Sequence, residues 1–386
     1  MKILIAGDWH SELHEEAVFQ ALRQLGHEVL RFSWHEYFRP TGGAFRLIDH
    51  ILKRAQNRYL VGPLVARINR DLIARIAETQ PEVVFVYRGT HITAQTLRAI
   101  RRRFPAITLV GYNNDDPFSP MYPRWLWRHF LAGIPEYDLV LAYRHANVED
   151  FRAAGARRVE LLRSWYVTER NHPVGLTGAD GAKYDSDVVF VGHYEDDGRL
   201  RALEAVAAAG FRLRIFGPGY DWDPVLRRSL TLAGQVPVRL VWGEDYNRAL
   251  CGSRIALCFL SKLNRDTYTR RCFEIPATGS MMLAEYSSDL AGLYTEGREV
   301  ELFRSVDELL TKIRFYLEHD DRRRALAAAG HERVARDGHD VVSRMSAVIE
   351  WVGTIRTGTG MAENRTGPGH DRNDQAVQAE MAGKQC

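Results

Sequence analysis

The sequence predicts an α/β protein made of two doubly wound halves, each with a parallel sheet between layers of helices. Residues 2–7 and 187–192 open the halves in the same way, as short apolar runs that end in glycine. A polar loop and an amphipathic helix follow each run, at 15–25 in the first half and at 199–209 in the second. The repeated strand–loop–helix start predicts two α/β halves, because 386 residues are too many for one typical hydrophobic core.

Further continuous apolar runs are candidates for buried strands of these two sheets. In the first half they are residues 83–87, 107–111 and 139–142. In the second half they are residues 213–217, 238–242, 255–259 and 281–284. Uninterrupted apolar runs between helical stretches are typical of parallel strands that are covered on both faces.

Stretches rich in glycine, proline and polar residues predict the domain boundaries. Glycine, proline and polar residues are frequent in 171–186, so we expect domains over 1–168 and 187–340 with a linker over 169–186. The pattern stays helical after Ala335 through Trp351, which predicts a helix over 341–356 that either stands alone or packs back on the first domain. Residues 357–386 contain few large apolar side chains, so we expect a disordered tail.

Net charge and the pattern of apolar runs limit the partners and the cellular location that the sequence predicts. A formal net charge of +3 is slight and does not indicate a nucleic-acid partner. Basic residues are nevertheless concentrated in the first third, where a solvated helix face and an anionic acceptor or membrane surface are both open interpretations. The start of the chain lacks a signal-peptide pattern, and no apolar run approaches the roughly 20 residues of a membrane span. We expect a cytoplasmic protein, with peripheral contact at the inner face of the membrane as an alternative.

Metal and cofactor motifs give no positive signal. Cys251, Cys258, Cys272 and Cys386 lack metal-ligand spacing. Residues 221–223 (Asp-Trp-Asp) match a metal-binding DxD triplet, but such short matches often arise by chance, and we expect this one in a loop. The first strand–loop has no Gly-x-Gly-x-x-Gly fingerprint, and the chain has no phosphate-binding Walker loop. We therefore predict neither a metal nor a cofactor.

The segment 261–285 carries the strongest functional signal. It is a polar, arginine-rich loop at the carboxyl end of a predicted parallel strand, which is the usual ligand position in such sheets. A helix that begins near Thr269 would hold Glu274 in its body and Asp266 in the preceding loop, so both carboxylates can border one cleft. Free backbone N–H groups at the helix start favour an anion such as a diphosphate. Four basic residues surround that start: Lys262, Arg265, Arg270 and Arg271.

Asp266-x7-Glu274 and the block 271–279 (Arg-Cys-Phe-Glu-Ile-Pro-Ala-Thr-Gly) resemble the E-x7-E element of group-1 retaining glycosyltransferases. More narrowly, they resemble the CgeB-like (spore maturation protein B-like) branch. Residues 189–194, 216–217 and 241–243, with Tyr246, are similar to landmarks of that branch in the same order. The resemblance implies a GT-B fold, in which two Rossmann-like doubly wound parallel-sheet domains face each other across a cleft. It also implies metal-independent hexosyl transfer and a role in cell-envelope or spore polysaccharide.

The resemblance also assigns roles to residues of the second half. The second acid of the pair contacts the nucleotide ribose, which falls on Glu274, and the first faces the donor sugar and diphosphate, which falls on Asp266. Here the first acid is Asp rather than Glu, which shortens its reach by one methylene. Arg271 and Arg199 would offset the charge of the leaving diphosphate. The remaining donor-side candidates are Gly192, His193, Gly217, Trp242, Gly243, Lys262, Arg265 and Arg270.

Two loops of the first half are candidates for the acceptor side. Asp8 and His10 follow the first strand, and Asn114, Asp115 and Asp116 follow the run 107–111. We expect both loops to open on the cleft between the halves. His10, Asp115 or Asp116 could act as a general base in an inverting reaction, but each is equally typical of helix caps and turns. The aromatic and basic stretch 121–128 suits either an interface or core packing.

These observations favour a glycosyltransferase that moves a sugar from a nucleotide diphosphate sugar to a hydroxyl-bearing acceptor, with retention implied by the resemblance. The acceptor could be a glycan, a lipid-linked group, a protein or a small molecule. Two alternatives stay open: a nucleotide-sugar epimerase on the same fold, and a catalytically silent nucleotide-binding or scaffold protein.

Overall fold

The computed structural model describes residues 1–39 and 46–358, and it places one parallel sheet in each half of the chain. The strands of the first half are β1 (Lys2–Gly7), β2 (Glu28–Ser33), β3 (Val83–Tyr87), β4 (Thr108–Asn113), β5 (Leu139–Ala142) and β6 (Val159–Leu161). The strands of the second half are β7 (Ser186–Val191), β8 (Leu213–Phe216), β9 (Ser253–Cys258), β10 (Met282–Glu285) and β11 (Glu301–Phe303).

Helices connect the strands and cover the sheets. Those before β7 are α1 (Glu15–Gln24), α2 (Arg46–Tyr59), α3 (Pro63–Thr79), α4 (Ala94–Arg103), α5 (Arg128–Gly133), α6 (His145–Ala153) and α7 (Gly178–Tyr184). Those after it are α8 (Arg199–Ala208), α9 (Gly219–Leu226), α10 (Glu244–Cys251), α11 (Arg271–Ala277), α12 (Ser288–Leu293), α13 (Val306–Glu318), α14 (Asp320–Arg336) and α15 (Val341–Thr357). No described helix is both long and apolar enough to cross a bilayer.

The strand order in each sheet confirms the predicted doubly wound architecture. The first sheet runs β2-β1-β3-β4-β5-β6 and the second runs β11-β10-β9-β7-β8, and the paired strands are parallel. The order reverses between β1 and β3 and between β7 and β9, and ligands bind beyond the carboxyl ends of the strands at such switch points. The predicted apolar runs form these strands because their side chains are buried on both faces, as β3 and β5 are throughout.

One predicted strand is wrong, and three edge strands were not predicted. Residues 238–242 make only an isolated bridge between Arg239 and Phe216, and Leu240 and Trp242 are 64% and 52% exposed. They lie beyond β8 at the sheet edge, where only one side can offer hydrogen-bond partners. The sequence pattern missed β2, β6 and β11, since β2 is half-exposed at an edge and the other two are only three residues long.

Two helical assignments also differ from the prediction. The expected continuous helix from Ala335 is interrupted between α14 and α15, where Gly338 has φ 63° and Asp340 caps α15 by accepting from Val342 N and Ser343 N. The triplet 221–223, expected in a loop, lies within α9. α15 continues to Thr357 and packs against α1 and β4 of the first half, while residues 359–386 of the expected tail lie outside the described residues.

Candidate functional site

Two adjoining cavities lie where the carboxyl ends of the two sheets face each other. The first, which we call the glycine-lined cavity, has a volume of about 200 Å³ and is lined chiefly by Gly192, His193, Gly217, Trp242, Gly243, Tyr246, Arg271 and Glu274. The second, the polar cavity, has a volume of about 150 Å³ and is lined chiefly by His14, Asn114, Asp115, Arg144, Trp165, Asn264 and Asp266. Leu13 and Arg270 line both cavities. The structure therefore brings Asp266 and Glu274 to neighbouring cavities separated by Arg270.

Glycines let the backbone and an arginine approach closely in the first cavity. A Cβ on Gly192 would lie 2.6 Å from Nη2 of Arg271, and a Cβ on Gly217 would lie 2.1 Å from the carbonyl oxygen of Gly192. That same oxygen accepts a hydrogen bond of 2.8 Å from Nε1 of Trp222. Only glycine fits at position 217, where the neighbour is backbone, and the absence of a side chain at Gly192 lets the guanidinium of Arg271 lie against the turn that ends β7.

Glu274 is held as a buried acceptor on α11. The residue is 4% exposed, accepts a hydrogen bond of 2.8 Å from Oη of Tyr246, and has Oε1 2.9 Å from Nε of Arg270. Burial and then the negative charge of Glu274 raise the pKa of Tyr246 well above its usual value, so the phenol stays a donor. This fixed carboxylate is positioned to accept protons from hydroxyl groups of a ligand.

The backbone N–H groups at the start of α11 are not free to bind an anion, so this part of the prediction is wrong. The N–H groups of Arg271, Cys272, Phe273 and Glu274 donate to Thr269 Oγ1, Thr269 O and Arg270 O, so they are already bonded. The chain turns tightly before α11, and this turn satisfies the donors that a free helix start would present. An anion here would be bound by the guanidinium groups of Arg270 and Arg271.

Asp266 forms a buried ion pair with a residue of the first half. Nε of Arg144 donates to its Oδ1 at 2.6 Å, and the two side chains are 2% and 8% exposed. Burial raises the pKa of Asp266 to about 6, although the positive charge of Arg144 opposes that rise. Arg144 also donates to the carbonyl of Asn114 at 3.2 Å. The pair joins the two halves at the wall of the polar cavity.

Several polar atoms at the polar cavity are buried without a hydrogen-bond partner among the described residues. They include Nη1 of Arg144, Oδ1 of Asn114 and Nε1 of Trp165. A buried polar atom without a partner is unfavourable, and native proteins usually pair it with protein, water or ligand. His14 also lines this cavity, and burial, followed by Arg270 and Arg88, lowers its pKa well below the usual value. The cavity thus offers both donors and acceptors, together with a neutral imidazole.

Three basic donor-side candidates bind other partners. Arg199 is 3% exposed, contacts both Asp197 and Glu195, and donates to the carbonyl of His193 at 2.6 Å. Lys262 donates to the carbonyl of Asp197 at 2.6 Å. Arg265, whose φ is 49°, contacts Asp116 and Asp150 of the first half. None of the three lines either cavity, because local carboxylates and carbonyls already satisfy them.

The two first-half loops reach the cleft in part. Asn114 and Asp115 line the polar cavity, with Asp115 paired to Nη2 of Arg88 at 2.6 Å. Asp116 is fully buried and accepts from Phe118 N and Asn147 Nδ2 as well as Arg265, so it is a link within the protein rather than a free base.

Asp8 and His10 do not reach either cavity, contrary to expectation. His10 lies 2.6 Å from Asp8 and lines a separate groove between α1 and α15. The hydrogen bond to Asp8 raises the pKa of His10. Trp9, between Asp8 and His10, has a left-handed backbone conformation with φ 62°. Leu13 and His14, further along the same loop, are the residues that line the cavities.

Residues that sequence reasoning missed include Arg88, Arg144, Arg170 and Trp165. Arg88 and Arg144 follow the carboxyl ends of β3 and β5, so the rule that selected Asn114 and Asp115 could have found them. Arg170 lies in the expected linker, with its guanidinium 5.3 Å from the ring of Trp242, and only the folded chain brings it there.

No group of three or more His, Cys, Asp or Glu side chains within the described parts of the chain could hold a metal ion.

Comparisons with known proteins agree on the fold. Residues 199–350 match a family model described as glycosyl transferase-like. Alr3699/HepE of Anabaena, solved in complex with UDP-glucose, is similar at a TM-score of 0.62 and 16% identity, over 92% of this chain and 100% of that chain. No curated protein sequence matches this chain significantly.

Two further solved structures are similar over nearly the whole of both chains. Sucrose-phosphate synthase of Thermosynechococcus elongatus has a TM-score of 0.65 and 12% identity, with coverage of 92% and 99%. A trehalose-6-phosphate synthase, studied for glycosyl transfer with retention, has a TM-score of 0.62 and 11% identity, with coverage of 92% and 99%. Together with the two parallel sheets, these similarities confirm that the protein has a GT-B fold.

Proposed function

We propose that the protein is a glycosyltransferase whose nucleotide diphosphate sugar donor lies across both cavities, with its diphosphate beside Arg270 and Arg271. The observation that carries the proposal is the position of Arg270, which lines both cavities and pairs with Glu274. The family-model match over 199–350 and the UDP-glucose bound to HepE support a donor of this kind.

The glycine-lined cavity would hold the nucleoside. Glu274 has no hydrogen to donate when ionised, so it suits the two hydroxyl groups of a ribose. Tyr246 and Arg270 fix its orientation without covering the cavity, which both line. The base would lie toward Trp242 and Gly243, where the indole ring is held against Arg170.

The polar cavity would hold the sugar that is transferred. Its unpaired Arg144 Nη1, Asn114 Oδ1 and Trp165 Nε1 complement hydroxyl groups, which both donate and accept. Asp266, with a pKa of about 6, is mostly ionised at neutral pH and would accept from a sugar hydroxyl. Asp266 and Glu274 would thus bind opposite ends of one donor.

In the transfer step the bond between the anomeric carbon and the diphosphate oxygen breaks, an acceptor oxygen bonds to that carbon, and the departing diphosphate takes up the proton of the acceptor hydroxyl. Negative charge develops on the departing diphosphate, and Arg270 and Arg271 would stabilise it, so the step needs no metal ion. We propose retention of the anomeric configuration, supported by the E-x7-E resemblance and by the trehalose-6-phosphate synthase studied for retention.

The proposal extends to organisation and context. Residues 1–168 would bind the acceptor and 187–340 the donor, with α15 returning to the first domain. Resemblance to the CgeB-like branch suggests a cytoplasmic enzyme that builds cell-envelope or spore polysaccharide. His193 and Gly217 line the glycine-lined cavity and would contact the donor, whereas Lys262, Arg265 and Arg199 would support its walls.

A thermal-shift series over nucleoside diphosphates and their sugars tests donor binding, because a ligand that binds only the folded state raises the melting temperature. We expect UDP-glucose or a related donor to raise it in a concentration-dependent way. Incubation with donor alone then separates the candidates. A glycosyltransferase releases the nucleoside diphosphate by slow hydrolysis of the donor, an epimerase yields a stereoisomer of the donor, and a silent binder yields neither product. No shift with any nucleotide would contradict the proposal.

A further inference from the structure

The helix α2 lies outside the layers that the doubly wound fold requires. α3 packs Val65, Ile68, Leu72 and Ile76 into the core and completes the connection from β2 to β3. α2 precedes it and packs against α3 and the short 3-10 helix His35–Phe38. The fold of the sheet therefore does not explain why this additional helix is present.

The orientation of α2 is the reverse of an ordinary surface helix, because its polar side faces the protein. Lys53 donates to the carbonyl of Arg39 at 2.9 Å and pairs with Asp49. Gln56 Oε1 accepts from Leu64 N at 2.9 Å, and Asn57 Oδ1 lies 3.0 Å from Nε2 of His91. These contacts fix the helix through hydrogen bonds and leave its apolar side outward.

The outer face of α2 consists of Leu47, Ile48, Ile51, Leu52 and Tyr59, which are 71%, 57%, 56%, 57% and 50% exposed. Single exposed apolar side chains are common on proteins, but a contiguous group on one helix marks an interaction surface.

The surface continues beyond the end of α2. Val61 and Met121 are 49% and 68% exposed, and the ring of Trp125 lies 5.6 Å from that of Tyr59. Arg128 donates to the carbonyls of Tyr59 and Leu60 at 2.6 and 2.8 Å and so fixes the end of α2 beside the loop that carries Met121 and Trp125.

The charges beside this face indicate what it binds. Arg54 and Arg58 follow Leu47 by seven and eleven residues, which places them at the edge of the outer face at helical spacing. In the parts of the chain that the structure describes, neither forms an ion pair with a carboxylate. In a twofold dimer the partner presents the same patch, and the residues named for this patch include no carboxylate that could pair with these arginines. An apolar stripe with a basic edge instead suits an anionic lipid surface.

We infer that α2 docks on an anionic phospholipid bilayer, with its axis in the plane of the surface and its outer face at the boundary between headgroups and acyl chains. The docked surface adjoins the cleft, since Oη of Tyr122, next to Met121, donates to Asn264 Oδ1 at 2.9 Å and Asn264 lines the polar cavity. If the proposed function holds, on which this consequence rests, the acceptor class that fits is a hydroxyl group carried on a membrane lipid.

Vesicle flotation of the full chain tests this inference. We expect binding to phosphatidylcholine vesicles that contain phosphatidylglycerol, and much weaker binding to vesicles of phosphatidylcholine alone. The double variant Ile51→Glu/Leu52→Glu should reduce the bound fraction by about tenfold or more, because it places two charges on the face that enters the lipid. Arg54→Glu/Arg58→Glu should reduce binding and remove most of its dependence on salt.

Leu230→Glu is the matched control, since Leu230 is fully exposed on the second half, and it should bind vesicles like the wild type. Equal binding by the Ile51→Glu/Leu52→Glu variant, no binding to anionic vesicles, or a dimer in solution that this variant dissociates would overturn the inference. Melting shifts with UDP-glucose, measured on the same variants, report on donor binding separately. A variant that loses vesicle binding but keeps the melting shift with UDP-glucose is therefore defective in docking alone. If the wild type shows no melting shift, the proposed function fails, whatever the outcome of vesicle binding.

Discussion

The two cavities that meet at Arg270 differ in how the chain builds them. The glycine-lined cavity depends on close backbone contacts within the second half, such as the hydrogen bonds of Gly192 N to Phe216 O and of Gly217 N to Arg239 O. The polar cavity depends on charged side chains from distant parts of the chain, above all Arg144 and Asp266. One site is therefore set by local backbone geometry, and the other by the association of the two halves. Substitutions should affect the two cavities in different ways.

Removing Arg144 should have the largest effect. Arg144→Leu leaves Asp266 buried without its partner, and breaking a buried pair in this way costs about 3–5 kcal/mol of unfolding free energy. Urea denaturation at pH 7.5 measures the loss. Arg144→Leu/Asp266→Leu should recover most of it, because no buried charge then lacks a partner. In the exposed pair Arg75–Glu78, Arg75→Leu should cost less than about 1 kcal/mol. Equal losses in the single and double variants would contradict the ion-pair interpretation.

Removing Glu274 should weaken donor binding rather than the link between the halves. Glu274→Ala removes a charged acceptor, so we expect affinity for UDP or UDP-glucose to fall by about 1–3 kcal/mol in calorimetry. Glu332→Ala, on the exposed side of α14, provides the control and should bind normally. Wild-type affinity in Glu274→Ala would exclude the glycine-lined cavity as the ribose site.

The two glycines of the first cavity should separate stability from binding. A Cβ at position 217 meets the backbone oxygen of Gly192, which cannot move freely, so Gly217→Ala should cost about 1–3 kcal/mol of stability. A Cβ at position 192 meets the tip of Arg271, which can rotate away. Gly192→Ala should therefore melt near the wild-type temperature but bind UDP more weakly. A stable Gly217→Ala variant would show that the turn is less constrained than its geometry indicates.

The polar cavity should also confer a pH dependence. The pKa of Asp266, raised by burial to about 6, means that its carboxylate becomes protonated as the pH falls through 6. If the ionised form orients the sugar, the transfer rate should fall by about tenfold per pH unit below that value. Asp266→Asn should be slow and should lack this limb. The same pKa shift means that, for this group alone, the folded state gains stability as the pH falls from 6 toward 4, the range in which only the folded state binds the proton. A wild-type rate that stays constant between pH 7 and 5 would contradict the assigned role.

The sequence pattern was sufficient to predict the two-sheet architecture and several residues that line the glycine-lined cavity. The apolar runs at β1, β3, β5 and β7 predicted the two sheets, because strands covered on both faces must be continuously apolar. The structure also places the donor-side candidates Gly192, Gly217 and Glu274 at one cavity, since each is positioned by a turn or helix only a few residues long. The same reasoning failed at the run 238–242, where apolar side chains lie at an exposed sheet edge.

Only the tertiary structure determined which charged side chains lie at the two cavities and which acids they pair with. The sequence determined two doubly wound halves and a loop rich in arginine and acids. It could not show that Arg265 and Arg199 bind carboxylates elsewhere. Nor could it show that Arg144 and Arg88 pair with Asp266 and Asp115, the acids that line the polar cavity. A long basic side chain finds its partner across the fold, and Arg144 and Asp266 are 122 residues apart in sequence. Secondary structure follows from local periodicity, whereas the pairing of charges follows from how the two halves meet.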